Sequence, residues 1–313
     1  MKKLFSAVIV LALCANISLA AKNEPVKTPA VTEVPVTVIV MDNDATGGPD
    51  AGLNNALEQV LGTKLKIETV NRSVALGNPE YQGLNLDFMP LYLVEMNDLV
   101  QEKFGQYIQA GQMRVRNGKL ILEHQTRNGV YAGKDLRPME LDLYVMSQCP
   151  YGVRAENQII DLMKLGRLPK DLKINIRYIV SEGADGSINS LHGSAEWEED
   201  VRQLIIREKY PNKFWKYLEI RNKDYRSSLW DRAAEEAGIN PRIFAKYWDF
   251  GVKKLKEEIA YTRDYNISGS PSFIWQGRTA TDLGSLGSIK GLEGFQTNLG
   301  GGNAGGGAPQ GRC

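Results

Sequence analysis

The sequence predicts an α/β protein built from two tandem units of related plan, the second enlarged by a run of helices. Three observations carry this. Strand patterns at 34–42 and 139–147 each lead through a turn into an amphipathic helix and then into an alternating strand. A proline-marked strand follows later in each half, within "FMPLY" and "SGSPSF". Between these features the second half holds a helical stretch, roughly 190–266, that the first half lacks.

The first unit, 36–123, opens with "VPVTVIVMD" (34–42), a buried strand by its β-branched content and length. The Gly-rich turn "ATGGPDAG" follows. Leu53, Ala56, Leu57, Val60 and Leu61 then recur at helical spacing, and Gly62 is placed to end the helix. "KLKIETV" alternates as a strand, and "FMPLYLVE" (88–95) reads as one strand with a proline near its start. "EKFGQYIQAGQM" (102–113) predicts a helix, and "RVRNGKLILE" a hairpin turning on Asn117-Gly118. Residues 124–138 read as an interdomain linker.

The second unit, 139–298, begins with "MELDLYVMS" (139–147), in which Leu141, Leu143 and Val145 share one face. The amphipathic "AENQIIDLMKLG" (155–166) and the alternating strand "LKINIRYIV" (172–180) follow. In the helical stretch, Asn240-Pro241 marks a helix start, with Asn as N-cap and Pro at the first helical position. Phe244, Tyr247, Trp248, Val252, Leu255 and Ile259 then form a stripe that reads as core packing rather than a ligand groove. The runs "EWEED" (196–200) and "KKLKEE" (253–258) read as solvated helix faces. Residues 299–313 are a Gly-rich flexible tail ending in a cysteine.

The N-terminus reads as a secretory signal peptide, 1–20: Lys2 and Lys3, an apolar run, then Ser18-Leu19-Ala20 as a cleavage site. Residues 21–35 read as a polar, proline-bearing linker. Cys14 follows Leu13 rather than a small residue, which argues against a lipid anchor. No later stretch has the roughly 20 apolar residues of a membrane helix. The expected protein is therefore exported, periplasmic or secreted, and not membrane-spanning. A net charge of +1 argues against a general nucleic-acid or membrane-surface binder.

With Cys14 removed, Cys149 and Cys313 remain, which excludes a disulfide scaffold and leaves one pair or two reactive thiols. Cys149 sits where a strand ends and a helix begins, a position where backbone N–H groups and the helix dipole stabilise a thiolate. Pro150 and Tyr151 fit the first helical turn. Gln148, Arg154 and Glu156 flank the sulfur and either tune it or are simply solvated. His192 reads as a surface or packed histidine, with proton transfer as the alternative. His124 lies in the linker. These histidines and cysteines make no metal-site spacing, and no cofactor motif stands out.

The second unit resembles the DsbA-like branch of the thioredoxin superfamily. "CPYG" (149–152) is similar to that family's C-x-x-C site with the second cysteine replaced, and "SGSPSF" to the loop carrying its cis-proline, here Pro271. "SLHG" (190–193) is similar to a motif of gamma-interferon-inducible lysosomal thiol reductases, without their flanking cysteines. The first unit resembles a degenerate copy with no cysteines and Pro90 as the cis-proline counterpart. The resemblance implies two tandem thioredoxin-like domains, the second with an α-helical insertion. It also implies a catalytic Cys149, and a Ser270-Pro271 bond that presents backbone to an extended substrate chain.

Gly152 is the departure. Without a second thiol, Cys149 cannot resolve its own mixed disulfide. Cys313 can supply one: fourteen mostly small residues precede it in the tail, a coil of roughly 20 Å r.m.s. span and ~45 Å reach. The expected function is an exported thiol–disulfide oxidoreductase acting on protein or small-molecule thiols and disulfides. The alternative is a non-enzymatic binding or chaperone module that holds extended polypeptides at its cis-proline edges.

Overall fold

A computed structural model describes residues 33–123, 128–296 and 313. The signal peptide with Cys14, the linker up to residue 32, His124 and the tail at 299–312 lie outside the described residues. The chain forms two compact units, Met1–Asp135 with Arg278–Ala280, and Leu136–Gly277 with Thr281–Cys313. The division falls inside the 124–138 segment.

In the first unit, β1 (Glu33–Val40) starts within the expected 21–35 linker. Helix α1 (Ala51–Leu61) begins where the Asp50 side chain accepts the Leu53 N–H at 2.7 Å. It ends at Gly62, whose φ of 67° lets its N–H reach the Glu58 carbonyl at 2.8 Å. β2 (Lys64–Asn71) then pairs parallel with β1, from Glu33 opposite Lys64 to Val40 opposite Asn71. A short α2 (Arg72–Gly77), not foreseen, follows β2 directly.

The expected strand 88–95 is two strands. Pro90 has no N–H for a ladder, and the Met89–Pro90 bond is cis, so β3 (Phe88–Met89) and β4 (Leu91–Glu95) part there. Helix α3 (Asp98–Gln109) starts a turn earlier than residue 102, because the Asn97 side chain caps the Val100 N–H at 2.9 Å. β5 (Arg114–Arg116) and β6 (Lys119–Leu122) form the expected hairpin, with Asn117 and Gly118 both at positive φ, 50° and 73°. The main sheet has the order β2-β1-β4-β6-β5. Val36, Leu57, Tyr92 and Phe104 lie in its core.

The 124–138 segment is not simply a linker: β7 (Gly129–Tyr131) is a buried strand, with Phe88 opposite Tyr131 and Met89 opposite Val130. Gly129 permits that approach, since a Cβ there would lie 2.5 Å from the Met89 carbonyl oxygen.

In the second unit, β8 (Glu140–Val145) is followed by α4 (Pro150–Lys164) and β9 (Lys173–Tyr178). A small hairpin of β10 (Ser181–Glu182) and β11 (Ile188–Asn189) precedes the helical insertion. That insertion is four helices: α5 (Ser194–Lys209), α6 (Pro211–Arg221), α7 (Trp230–Glu236) and α8 (Arg242–Asp264). β12 (Ser272–Trp275) returns to the sheet; Thr279 and Ala280 of β13 (Thr279–Thr281) belong to the first unit, where they pair with β7.

The order β12-β8-β9, with β8 and β9 parallel and β12 antiparallel, is the thioredoxin-like arrangement, with the four helices inserted between β9 and β12. The Asn240 side chain accepts the Arg242 N–H at 3.0 Å, but the N-cap is Pro241 rather than Asn240, and α8 starts one residue later than expected. The stripe from Phe244 to Ile259 packs into the core. α8 approaches α5 closely at Gly251, where a Cβ would lie 2.7 Å from Ile205. Among the described residues no helix is long and apolar enough to cross a membrane.

Candidate functional site

The site forms where β8 runs out. The loop Met146–Gln148 turns so that the Cys149 N–H donates to the Met146 carbonyl at 2.9 Å, and Cys149 becomes the N-cap of α4. Pro150 takes the first helical position, where an N–H has no intrahelical partner. Tyr151 is half-buried, with the Arg154 guanidinium 5.7 Å from its ring centre. Cys149 itself is fully buried.

Across from α4, the cis Ser270–Pro271 bond leads into β12. Buried Ser270 makes three contacts with the site. Its hydroxyl accepts the Met146 N–H at 3.1 Å. Its carbonyl oxygen lies 3.5 Å from the Cys149 sulfur. Its main chain pairs with Cys313: the Cys313 N–H donates to the Ser270 carbonyl at 3.0 Å, and the Ser270 N–H to the Cys313 carbonyl at 3.3 Å. Cys149 and Cys313 are disulfide-bonded, with Cα atoms 6.0 Å apart and a sequence separation of 164. The geometry thus joins all six residues singled out in the sequence: Cys149, Pro150, Tyr151, Ser270, Pro271 and Cys313.

Gly152 has a physical reason. A Cβ at that position would lie 2.5 Å from the Ser270 hydroxyl oxygen. Ser270 occupies the space that a second side chain of the C-x-x-C type would take, so the helix cannot carry a partner thiol there without displacing it.

Of the flanking residues, Arg154 is exposed, whereas Gln148 and Glu156 are buried. Glu156 is not a solvated neighbour of the sulfur. It is buried in α4, accepts from the Asn222 side chain at 2.9 Å, and is pushed up to about 7, by burial first and by the Glu199 charge. "EWEED" is not a solvated face either: Glu196, Glu199 and Asp200 are buried in α5. Burial, with Glu196 and Glu199 nearby, pushes Asp200 well above the usual carboxylate range. In "KKLKEE", Glu258 is buried, near the Arg177 and Arg207 guanidiniums, while Lys253, Lys256 and Glu257 are exposed.

Glu196 is the residue that sequence reasoning missed. Its carboxylate accepts the Gln148 N–H at 3.1 Å and the His192 N–H at 3.2 Å, and lies 2.6 Å from His192 Nδ1. Its carbonyl accepts the Ser147 hydroxyl at 3.2 Å. Arg226 adds a donor to the Gln148 carbonyl at 3.4 Å. The spacing 196, 199, 200 marks one helical face, a signal that charge counting passes over. Among the described residues no group of three or more His, Cys, Asp and Glu is arranged to hold a metal.

The cis-proline of the first unit lies in a different setting. Met89, the residue before Pro90, pairs with Val130 of β7 within that unit, so this edge is already taken by the chain itself.

No family model matches the chain, and no curated protein matches it. Solved structures do. BdbD from Bacillus subtilis, in its oxidised form, aligns at a TM-score of 0.38 and 11% identity over 46% of this chain and 78% of that one. ScsC from Proteus mirabilis, in a transitional conformation, aligns at 0.38 and 16% over 50% and 67%. The DsbA disulfide interchange protein from Klebsiella pneumoniae aligns at 0.33 and 18% over 51% and 84%. Values this low add nothing to the fold that the strand order defines, and the site's chemistry stands on its own geometry.

Proposed function

We propose that this chain is an exported thiol–disulfide oxidoreductase in which Cys149 and Cys313 form the redox pair. The observation that carries the reading is the bond between these two sulfurs at a helix N-terminus, beside a cis-proline loop that grips Cys313 by its main chain. Cys313 supplies the second thiol that Gly152 lacks. In the reduced state, Cys149 is the nucleophile, its thiolate favoured by the N-terminal N–H groups of α4. Ser270 and Pro271 hold the backbone of whatever carries the partner sulfur. The substrates are thiols or disulfides of extended polypeptides or small molecules. The first unit, with its β-α-β start and cis-proline, is a thiol-free copy serving structure.

The binding-module alternative needs an open cis-proline edge. Both are occupied by the chain itself, Met89 by Val130 and Ser270 by Cys313. Thiol trapping on protein purified under oxidising conditions, with peptide mass mapping, tests the reading. The expected result is a linked Cys149–Cys313 peptide that disappears on reduction and returns with oxidised glutathione. Two free thiols, with Cys149 alkylating no faster than a model peptide, would remove it.

A further inference from the structure

We propose that in the oxidised protein the first exchange takes place at the Cys313 sulfur, so that the mixed disulfide is carried by Cys313 and not by Cys149. The inference rests on the oxidoreductase reading and adds the order of events at its site. Two independent features point to it.

The first is access. Displacement at sulfur needs the attacking thiolate, the attacked sulfur and the leaving sulfur in line, so the attacked sulfur must be open on its far side. Cys149 is fully buried, with the Ser270 carbonyl 3.5 Å from its sulfur. Cys313 is only half-buried.

The second is the leaving group. Attack at Cys313 expels the Cys149 sulfur, at the start of the fifteen-residue helix α4, where unpaired backbone N–H groups stabilise negative charge. Attack at Cys149 would expel the Cys313 sulfur, which caps no helix. The thiolate of lower pKa leaves faster. The Glu196 carboxylate on the Gln148 N–H works against this, and part of that carboxylate is engaged by the His192 ring at 2.6 Å.

The step balances without an added oxidant. An incoming thiolate bonds to the Cys313 sulfur, the Cys149–Cys313 bond breaks, and its electron pair leaves with the Cys149 sulfur. One thiolate is consumed and one is released. Afterwards, among the described residues, the two main-chain hydrogen bonds to Ser270 hold Cys313 in place. A substrate segment now joined to Cys313 competes for that edge as a tethered ligand, at a high effective concentration.

The test uses the oxidised full chain and substoichiometric glutathione. The reaction is quenched in acid at successive short times, free thiols are alkylated, and peptides are mapped by mass. Extrapolated to zero time, glutathione on Cys313 with alkylated Cys149 should exceed the reverse by about tenfold or more. Glutathione on Cys149 first, or equal amounts on both, overturns the proposal and leaves the oxidoreductase reading standing. Glutathione on neither cysteine overturns both.

Discussion

Ser270 and Cys313 exchange both of their main-chain hydrogen bonds, at 3.0 and 3.3 Å, as a hydrogen-bonded pair of an antiparallel ladder does. The same Ser270 fixes the Met146 N–H with its hydroxyl, which a side chain at position 152 would have to displace. One residue therefore seats the distant cysteine and fills the space beside Gly152.

Gly152→Ala tests that crowding. In a helix interior Ala ordinarily stabilises relative to Gly by about 0.5–1 kcal/mol. Here the added Cβ meets the Ser270 hydroxyl, so the sign should reverse, with a loss of about 1–3 kcal/mol. Ser270→Ala alone leaves the buried Met146 N–H without its acceptor, also a loss of about 1–3 kcal/mol. The double variant should lose less than the sum, since the clash and the hydroxyl disappear together. Urea unfolding of the four proteins measures the cycle; strict additivity would mean the two positions do not share this space.

Glu156 should make stability fall with rising pH. Its carboxyl, near 4.5 when unfolded, is raised to about 7 in the fold. Between those values the native state holds a proton that the unfolded state has released. The contribution, on the order of 3 kcal/mol, is therefore fully present below about pH 4.5 and lost as pH rises through about 7. Glu156→Gln keeps an acceptor for Asn222 and removes the titration. Unfolding free energies at intervals across this window should be flatter for the variant than for the parent; parallel curves would place the proton elsewhere.

Much of this was legible in the sequence, and the misses have physical causes. The strand-end Cys149, the helix-opening Pro150 and the Ser270-Pro271 loop stand out because each needs a particular backbone position. Gly62 and Asn117-Gly118 were readable for the same reason, as residues that tolerate positive φ. β7 was not, because three residues are too few for a period of two to declare itself. The burial of Glu196, Glu199 and Asp200 was hidden because acidic residues are usually solvated, and only tertiary partners such as Gln148 and Tyr217 reveal otherwise.

Glu196→Gln should shift the reactivity of the reduced protein. The buried carboxylate sits on the amide next to Cys149 and disfavours a second negative charge there. Replacing it with a neutral isostere should lower the Cys149 thiol pKa and speed its alkylation at neutral pH, while the amide keeps an oxygen acceptor. Alkylation rates of the reduced chain against pH give the shift directly. A profile moved upward, or not at all, would place Glu196 outside the electrostatics of the sulfur.

Cys313→Ala separates the resolving role from the nucleophilic one. The variant retains Cys149 at the α4 N-terminus and Ser270 beside it. It has no internal thiol to attack a mixed disulfide. With oxidised glutathione, Cys149 of the variant should accumulate a stable one-to-one adduct, while the parent should end with the Cys149–Cys313 bond closed and no lasting adduct. The complementary Cys149→Ala variant should show slower capture at Cys313, a thiol without a helix N-terminus to lower its pKa. Intact mass against time reads all three proteins. A parent that accumulates the same adduct as Cys313→Ala would show that Cys313 does not resolve it, and the two sulfurs would then not form a working pair.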